Sequence, residues 1–170
     1  MGLPHATALR TKESTMPHFA EYMARLAERR GLRREADGPR VTYRLRLKEA
    51  VVTVTTDELD FSARARVTSE PWPAPVASTA RVAFMHAALA FNRSAMHHLP
   101  CAIVRDPAQA SLYRLTWRVE PAEAPDAEWQ RRLKLFGLLT AKAWQTMPLP
   151  GHVEGTRRVT GEENHVIFMP

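Results

Sequence analysis

The chain has 170 residues, 45% of them apolar and 25% charged. That is the make-up of one globular domain, which buries roughly 70% of its unfolded surface. Lys and Arg outnumber Asp and Glu by 24 to 18, giving a net charge of +6 and a pI near 10.1. No apolar run nears the roughly 18 residues of a bilayer span, the N-terminus has no apolar secretory segment, and the one cysteine, Cys101, cannot form an internal disulfide. The expected setting is a reducing cytoplasm.

Residues 1–14 carry no periodicity and read as a loose arm, ahead of a domain over 15–147. Thr15 is an N-cap candidate, and Phe19, Tyr22, Met23 and Leu26 share one helical face, so the spacing predicts a first helix over 16–31 that stops at Gly31. From Val41 the period falls to two. Val41, Tyr43, Leu45 and Leu47 alternate with polar residues, Ala50 to Thr56 is rich in Val and Thr, and Leu59, Phe61, Ala63, Ala65 and Val67 alternate again. Short connections make these a three-stranded antiparallel meander with one buried face. Pro71, Pro73 and Pro75 form an extended connector. A second helix is predicted from Thr79 to His98, with Val82, Met85, Leu89, Asn92 and Met96 on one face and Phe84, Ala88 and Phe91 widening it. A helix apolar on most of its circumference is buried, either in a core or against a second copy of itself. Short and long strands follow at Cys101–Arg105 and Ser111–Val119. Asp126 then caps a third helix carrying Trp129, Leu133, Phe136, Thr140 and Trp144, and 148–170 reads as a tail ending in apolar Val166-Ile167-Phe168. The order is α-βββ-α-ββ-α, an α+β fold with an antiparallel sheet packed on helices.

The sequence offers little chemistry. His97, His98 and Cys101 lie close together, but zinc needs four donors, or three and water, and no CxxC or HxxxH spacing accompanies them. Cys101 as a nucleophile needs a base and an activating environment; at the head of an apolar strand it reads as core. Asp57, Glu58 and Asp60 sit on a turn where solvation accounts for them. No phosphate-cradling loop or dinucleotide fingerprint is present. Charge is the exception. Nine basic residues lie between Arg25 and Lys48 against three acidic ones, and the polar parity of the strands carries Arg44, Arg46, Arg64, Arg66, Arg114 and Arg118. Such a face either resists edge aggregation or docks an anionic partner. Nucleic acid is one such partner, although no aromatics interleave with these arginines as they do on RNA-binding sheets. The face of the first helix is likewise open between packing on the meander and a groove for an extended peptide.

The run Leu89-Ala90-Phe91-Asn92, His98-Leu99-Pro100, Cys101 to Asp106-Pro107 and Leu112 to Trp117, with the helix from Trp129 to Trp144, resembles class I type III secretion chaperones, the CesT-like family, over about residues 16–147. The resemblance implies a homodimer with Met85, Leu89, Tyr113, Leu115 and Trp117 at its interface. It implies a virulence-associated role: an effector segment is held non-globular and presented to the secretion apparatus and its ATPase, with no cofactor, metal or catalysis by the chaperone. Effector binding is expected at Phe19, Tyr22, Met23, Leu26, Val41 and Tyr43, and at Arg44, Arg46, Arg64 and Arg66. Family members are usually acidic, and the basic charge here points to acidic clients or to several effectors, as for the HpaB-type chaperones of plant pathogens. The alternative is a basic nucleic-acid-binding or regulatory module using the arginine face.

Overall fold

The computed structural model describes residues 16–148; the Thr15 cap, the 1–14 arm and nearly all of the 148–170 tail lie outside them. Three helices, α1 (Phe19–Arg30), α2 (Ser78–Ala95) and α3 (Asp126–Thr146), pack on one face of a seven-stranded sheet. Its strands are β1 (Arg34–Asp37), β2 (Arg40–Arg46), β3 (Val51–Asp57), β4 (Ala65–Ser69), β5 (Trp72–Pro73), β6 (Cys101–Arg105) and β7 (Leu112–Val119). Every pairing is antiparallel. From one edge the order is β1-β2-β3-β4, then β7, with β5 continuing β4 on the same side of β7 and β6 pairing its other side. This is the α+β arrangement expected, enlarged by two short strands.

Both additions follow from local chemistry. β1 is Arg-Glu-Ala-Asp and fully exposed, so no apolar alternation announces it. Gly38, at φ 59°, closes a two-residue hairpin that sets Asp37 opposite Arg40; a positive φ at the first loop position favours glycine. β5 forms because the proline-rich connector runs extended and places Trp72 opposite Tyr113. Trp72 is four positions on from Thr68 while their partners Tyr113 and Thr116 are three positions apart, so the chain bulges there. The Ser69 hydroxyl takes the Leu115 N–H at 3.0 Å, supplying the acceptor that the bulge displaces.

α1 starts at Phe19, with His18 as its N-cap, and not at residue 16, and three other boundaries differ from the sequence expectation. The strand read from Leu59 begins only at Ala65. The Asp57 carboxylate accepts the N–H groups of Leu59 and Asp60, and Asp60 accepts that of Ser62; these side-chain turns take the donors a ladder would need. Leu59 is 84% exposed in the resulting loop. α2 stops at Ala95 rather than His98, the Ala95 carbonyl accepting the N–H groups of both His98 and Leu99. The N-cap of α3 is Pro125; Asp126 is the first helical residue, and its carboxylate receives Arg25 at 2.6 Å and Arg29 at 3.3 Å. α1 ends as expected at Gly31, φ 60°, with the Leu32 N–H closing back on Ala27 O at 3.1 Å. That is the six-to-one bond of a left-handed C-cap.

One core lies between the sheet and the helices. Phe19 of α1 meets Trp129 of α3 at 5.2 Å and Trp117 of β7 at 5.6 Å, and Trp117 meets Phe136 at 6.3 Å. The Trp129 indole N–H donates to Pro17 O at 3.0 Å, satisfying the polar atom of a fully buried ring. Gly137 lets α3 approach the end of β2: a β-carbon there would lie 2.9 Å from Leu47 Cδ1. Replacing Gly137 with Val is therefore expected to lower stability by about 1–3 kcal/mol through overpacking, read as a lower urea midpoint with an unchanged m-value.

Candidate functional site

The residues singled out from sequence separate into core and surface. Phe19, Tyr22, Met23, Leu26, Val41 and Tyr43 are all buried, at 6% exposure or less. The apolar face of α1 is packed into the core, with Phe19 against Trp117 of β7 and Trp129 of α3, and is not open to a peptide. The Tyr43 hydroxyl donates to Glu58 at 3.1 Å. Burial, then that bond, raises its pKa to about 12, as for a structural phenol. Leu115 and Trp117 are likewise inside the subunit, committed to the core face of β7 and closed to a partner chain.

Met85 and Leu89 are exposed, and with Val82 and Met96 they form an outward stripe on α2, each 40–64% accessible. Phe84, Ala88, Phe91 and Ala95 face inward, the reverse of the order of importance that spacing suggested. Tyr113 is half-buried between the two, its ring 4.9 Å from Phe84 and its hydroxyl 3.7 Å from Met85 Sδ. Asn92 turns from the stripe toward β6: its side-chain oxygen accepts the Ile103 N–H at 2.6 Å and its amide donates to Ile103 O at 3.2 Å. Helix α2 thereby closes the outer edge of the sheet at the middle of β6. The significance of Asn92 was legible only as part of a familiar run, because periodicity gives no sign of a side chain that mimics a neighbouring strand.

The arginines also divide. Arg44, Arg46, Arg66, Arg114 and Arg118 stand on the parity opposite the core, on the face of the sheet that carries no helix. Arg64 precedes β4 and pairs with Glu120 at 3.1 Å. Arg114 pairs with buried Asp106, whose carboxyl is held below its usual range by the Ala108 N–H and then by Arg114. Arg44 reaches Glu70 at 2.9 Å. Among the described residues Arg46, Arg66 and Arg118 have no carboxylate within ion-pair distance. The basic window loses much of its excess the same way, since Arg25 and Arg29 bind Asp126 and Arg34 binds Glu58.

His97 and His98 are exposed while Cys101 is buried, and among the described residues no three His, Cys, Asp or Glu gather as a metal-holding group. Burial pushes the Cys101 thiol up to about 11, so thiolate is scarce at neutral pH. No helix of the described residues is long and apolar enough to cross a membrane. No protein-family model matches the chain, and no curated protein matches it significantly.

Two measurements check this geometry. Replacing Asn92 with Ala leaves the Ile103 amide and carbonyl unpaired and is expected to cost about 1–3 kcal/mol, with faster hydrogen exchange at Ile103 than at β3 amides. For Cys101 the folded pKa lies above the ordinary 9.0, so the native state retains its proton longer than the unfolded chain. Its contribution to stability is full below about pH 9 and declines as pH rises toward 11. Native protein at pH 8 should resist iodoacetamide by mass spectrometry, and urea-unfolded protein should be alkylated at once.

Proposed function

We propose that this chain is a homodimeric binding protein of the class I type III secretion chaperone kind. In this reading it works in the bacterial cytoplasm, holding an effector segment non-globular for export and carrying out no reaction itself. The observation that carries the reading is the outward face of α2. From Val82 to Asn92 the helix has no Asp, Glu, Lys or Arg, and its exposed positions include Val82, Met85 and Leu89. A contiguous apolar face on an otherwise packed domain marks an association surface. The inward face of the same helix already fills the core, and the outward face stays open to solvent apart from the Met85–Tyr113 contact at its edge.

Element order supports the same reading, as does the placement of Tyr113 beside Met85 at the edge of the stripe. Buried α1 cannot be the client groove. The client must therefore meet the surface elsewhere, and the exposed arginines expected for effector binding are the part of that set still accessible.

Light scattering on the purified chain should give twice the monomer mass at micromolar concentration. The double change Met85→Glu/Leu89→Glu should give monomers with an unchanged circular dichroism spectrum, because both side chains point away from the core. A wild-type monomer, or a double variant that remains dimeric, removes the α2 interface. Co-purification from the native bacterium should then recover an exported protein with the wild type.

A further inference from the structure

We infer that the open face of the sheet is a docking surface for an extended, acidic protein segment. This deepens the client-binding reading above and rests on it for the kind of partner. Strand register builds the surface. Glu35, Thr42, Thr55, Arg66 and Arg118 stand opposite one another in sequence, forming one row across five strands. The next row runs Arg44, Thr53, Thr68 and Thr116, ending on Ala102 of β6. The middle of the face is thus threonine, with Thr42 and Thr55 hydroxyls 3.5 Å apart, and arginines stand at its two ends. A depression of about 380 Å³ opens between Thr42, Thr53, Arg44, Arg46 and Arg114.

Charge complementarity selects the occupant. Arg66 lies directly opposite Arg118, and like charges in that position destabilise a sheet. Neither has a carboxylate partner among the described residues, nor does Arg46. The Arg44–Glu70 pair is 58% exposed on both sides, so an incoming carboxylate can exchange with Glu70 at little cost. Glu35 and Glu70 line the depression and disfavour an unbroken run of phosphates more than they disfavour two carboxylates spaced to reach the arginines. No Phe, Tyr or Trp stands on this parity of the strands, so bases have nothing to stack on. Threonine hydroxyls suit the backbone groups of an extended chain. From β2 to β7 is three strand spacings, about 14–15 Å, which an extended peptide covers in about four to five residues. The segment recognised therefore carries acidic residues at about that separation.

The test is fluorescence anisotropy at low salt on the full chain, with three labelled probes: a Ser/Gly peptide bearing two glutamates at that separation, the same peptide with glutamines, and an oligothymidylate of equal length. The glutamate peptide should bind about tenfold more tightly than the glutamine peptide, since charge-assisted bonds supply the difference. The pair Arg66→Gln/Arg118→Gln should lose about tenfold in affinity, while its melting temperature stays equal or rises as the opposed charges go. Arg30→Gln/Arg131→Gln, with the same net charge but changed on the helix side, should bind like wild type. Equal binding of both peptides, equal loss in the two double variants, or tighter binding of the oligothymidylate would each overturn the inference. Met85→Glu/Leu89→Glu should retain peptide binding, so failure of the dimer and failure of this surface are read separately.

Discussion

Trp117 is the residue on which the layers converge. It stands on the core face of β7, the strand that pairs with β4 and β5 on one side and β6 on the other, and it contacts Phe19 of α1 and Phe136 of α3. One buried indole thus ties both long-range helices to the strand that organises the sheet, and the indole of Trp129 reaches Pro17 ahead of α1. Large aromatics bury more area per residue than any other side chain. Concentrating them here spares the rest of the sheet: helices need cover only one face, and the other is left to water and to partners. Everything proposed about function concerns surfaces that this packing leaves over.

Much of this was readable from the chain, and the reason is the period of two. Val41, Tyr43, Leu45 and the Arg44 and Arg46 between them fall on opposite faces whatever the details of pairing, so core and arginine faces followed from parity alone. The β3–β4 loop shows where parity misleads. Leu59 and Phe61 continue the alternation, yet Asp57 and Asp60 capture the local amides and the residues project from a turn. α2 shows a different limit. An all-round apolar helix has no polar face to orient it, so spacing found both stripes without telling which one enters the core. For α1 the choice between packing and groove turned on tertiary contact, since Phe19 looks the same in sequence whether it meets Trp117 or a peptide.

Charge behaves similarly. The excess between Arg25 and Lys48 looked like one basic patch, but folding splits it. Arg25 and Arg29 reach across about a hundred residues of sequence to Asp126 at the start of α3, where a carboxylate also complements the helix dipole. Exposed pairs of this kind contribute little each. Their larger effect is to remove charge from the surface a partner meets, so that only arginines lacking a local acid remain to attract one. On the open sheet face these are Arg46, near the end of that window, and Arg66 and Arg118 well beyond it.

α2 joins the two halves of the functional argument. On one side Asn92 occupies the outward amide and carbonyl of Ile103, so the β6 edge is protected from pairing with another chain. On the other, the same helix presents Met85 and Leu89 to solvent. If two copies meet there, they meet through side chains and not through a shared sheet, and each subunit keeps its own complete ladder. The open faces of the two sheets then remain outside the contact, because α2 packs on the core side. A dimer of this kind offers two basic surfaces and encloses neither. A single extended client could engage both at once, and the second contact would then be intramolecular and strengthened by effective concentration alone. Under those conditions weak carboxylate–arginine contacts, individually exchangeable, would together retain such a segment and still let it go.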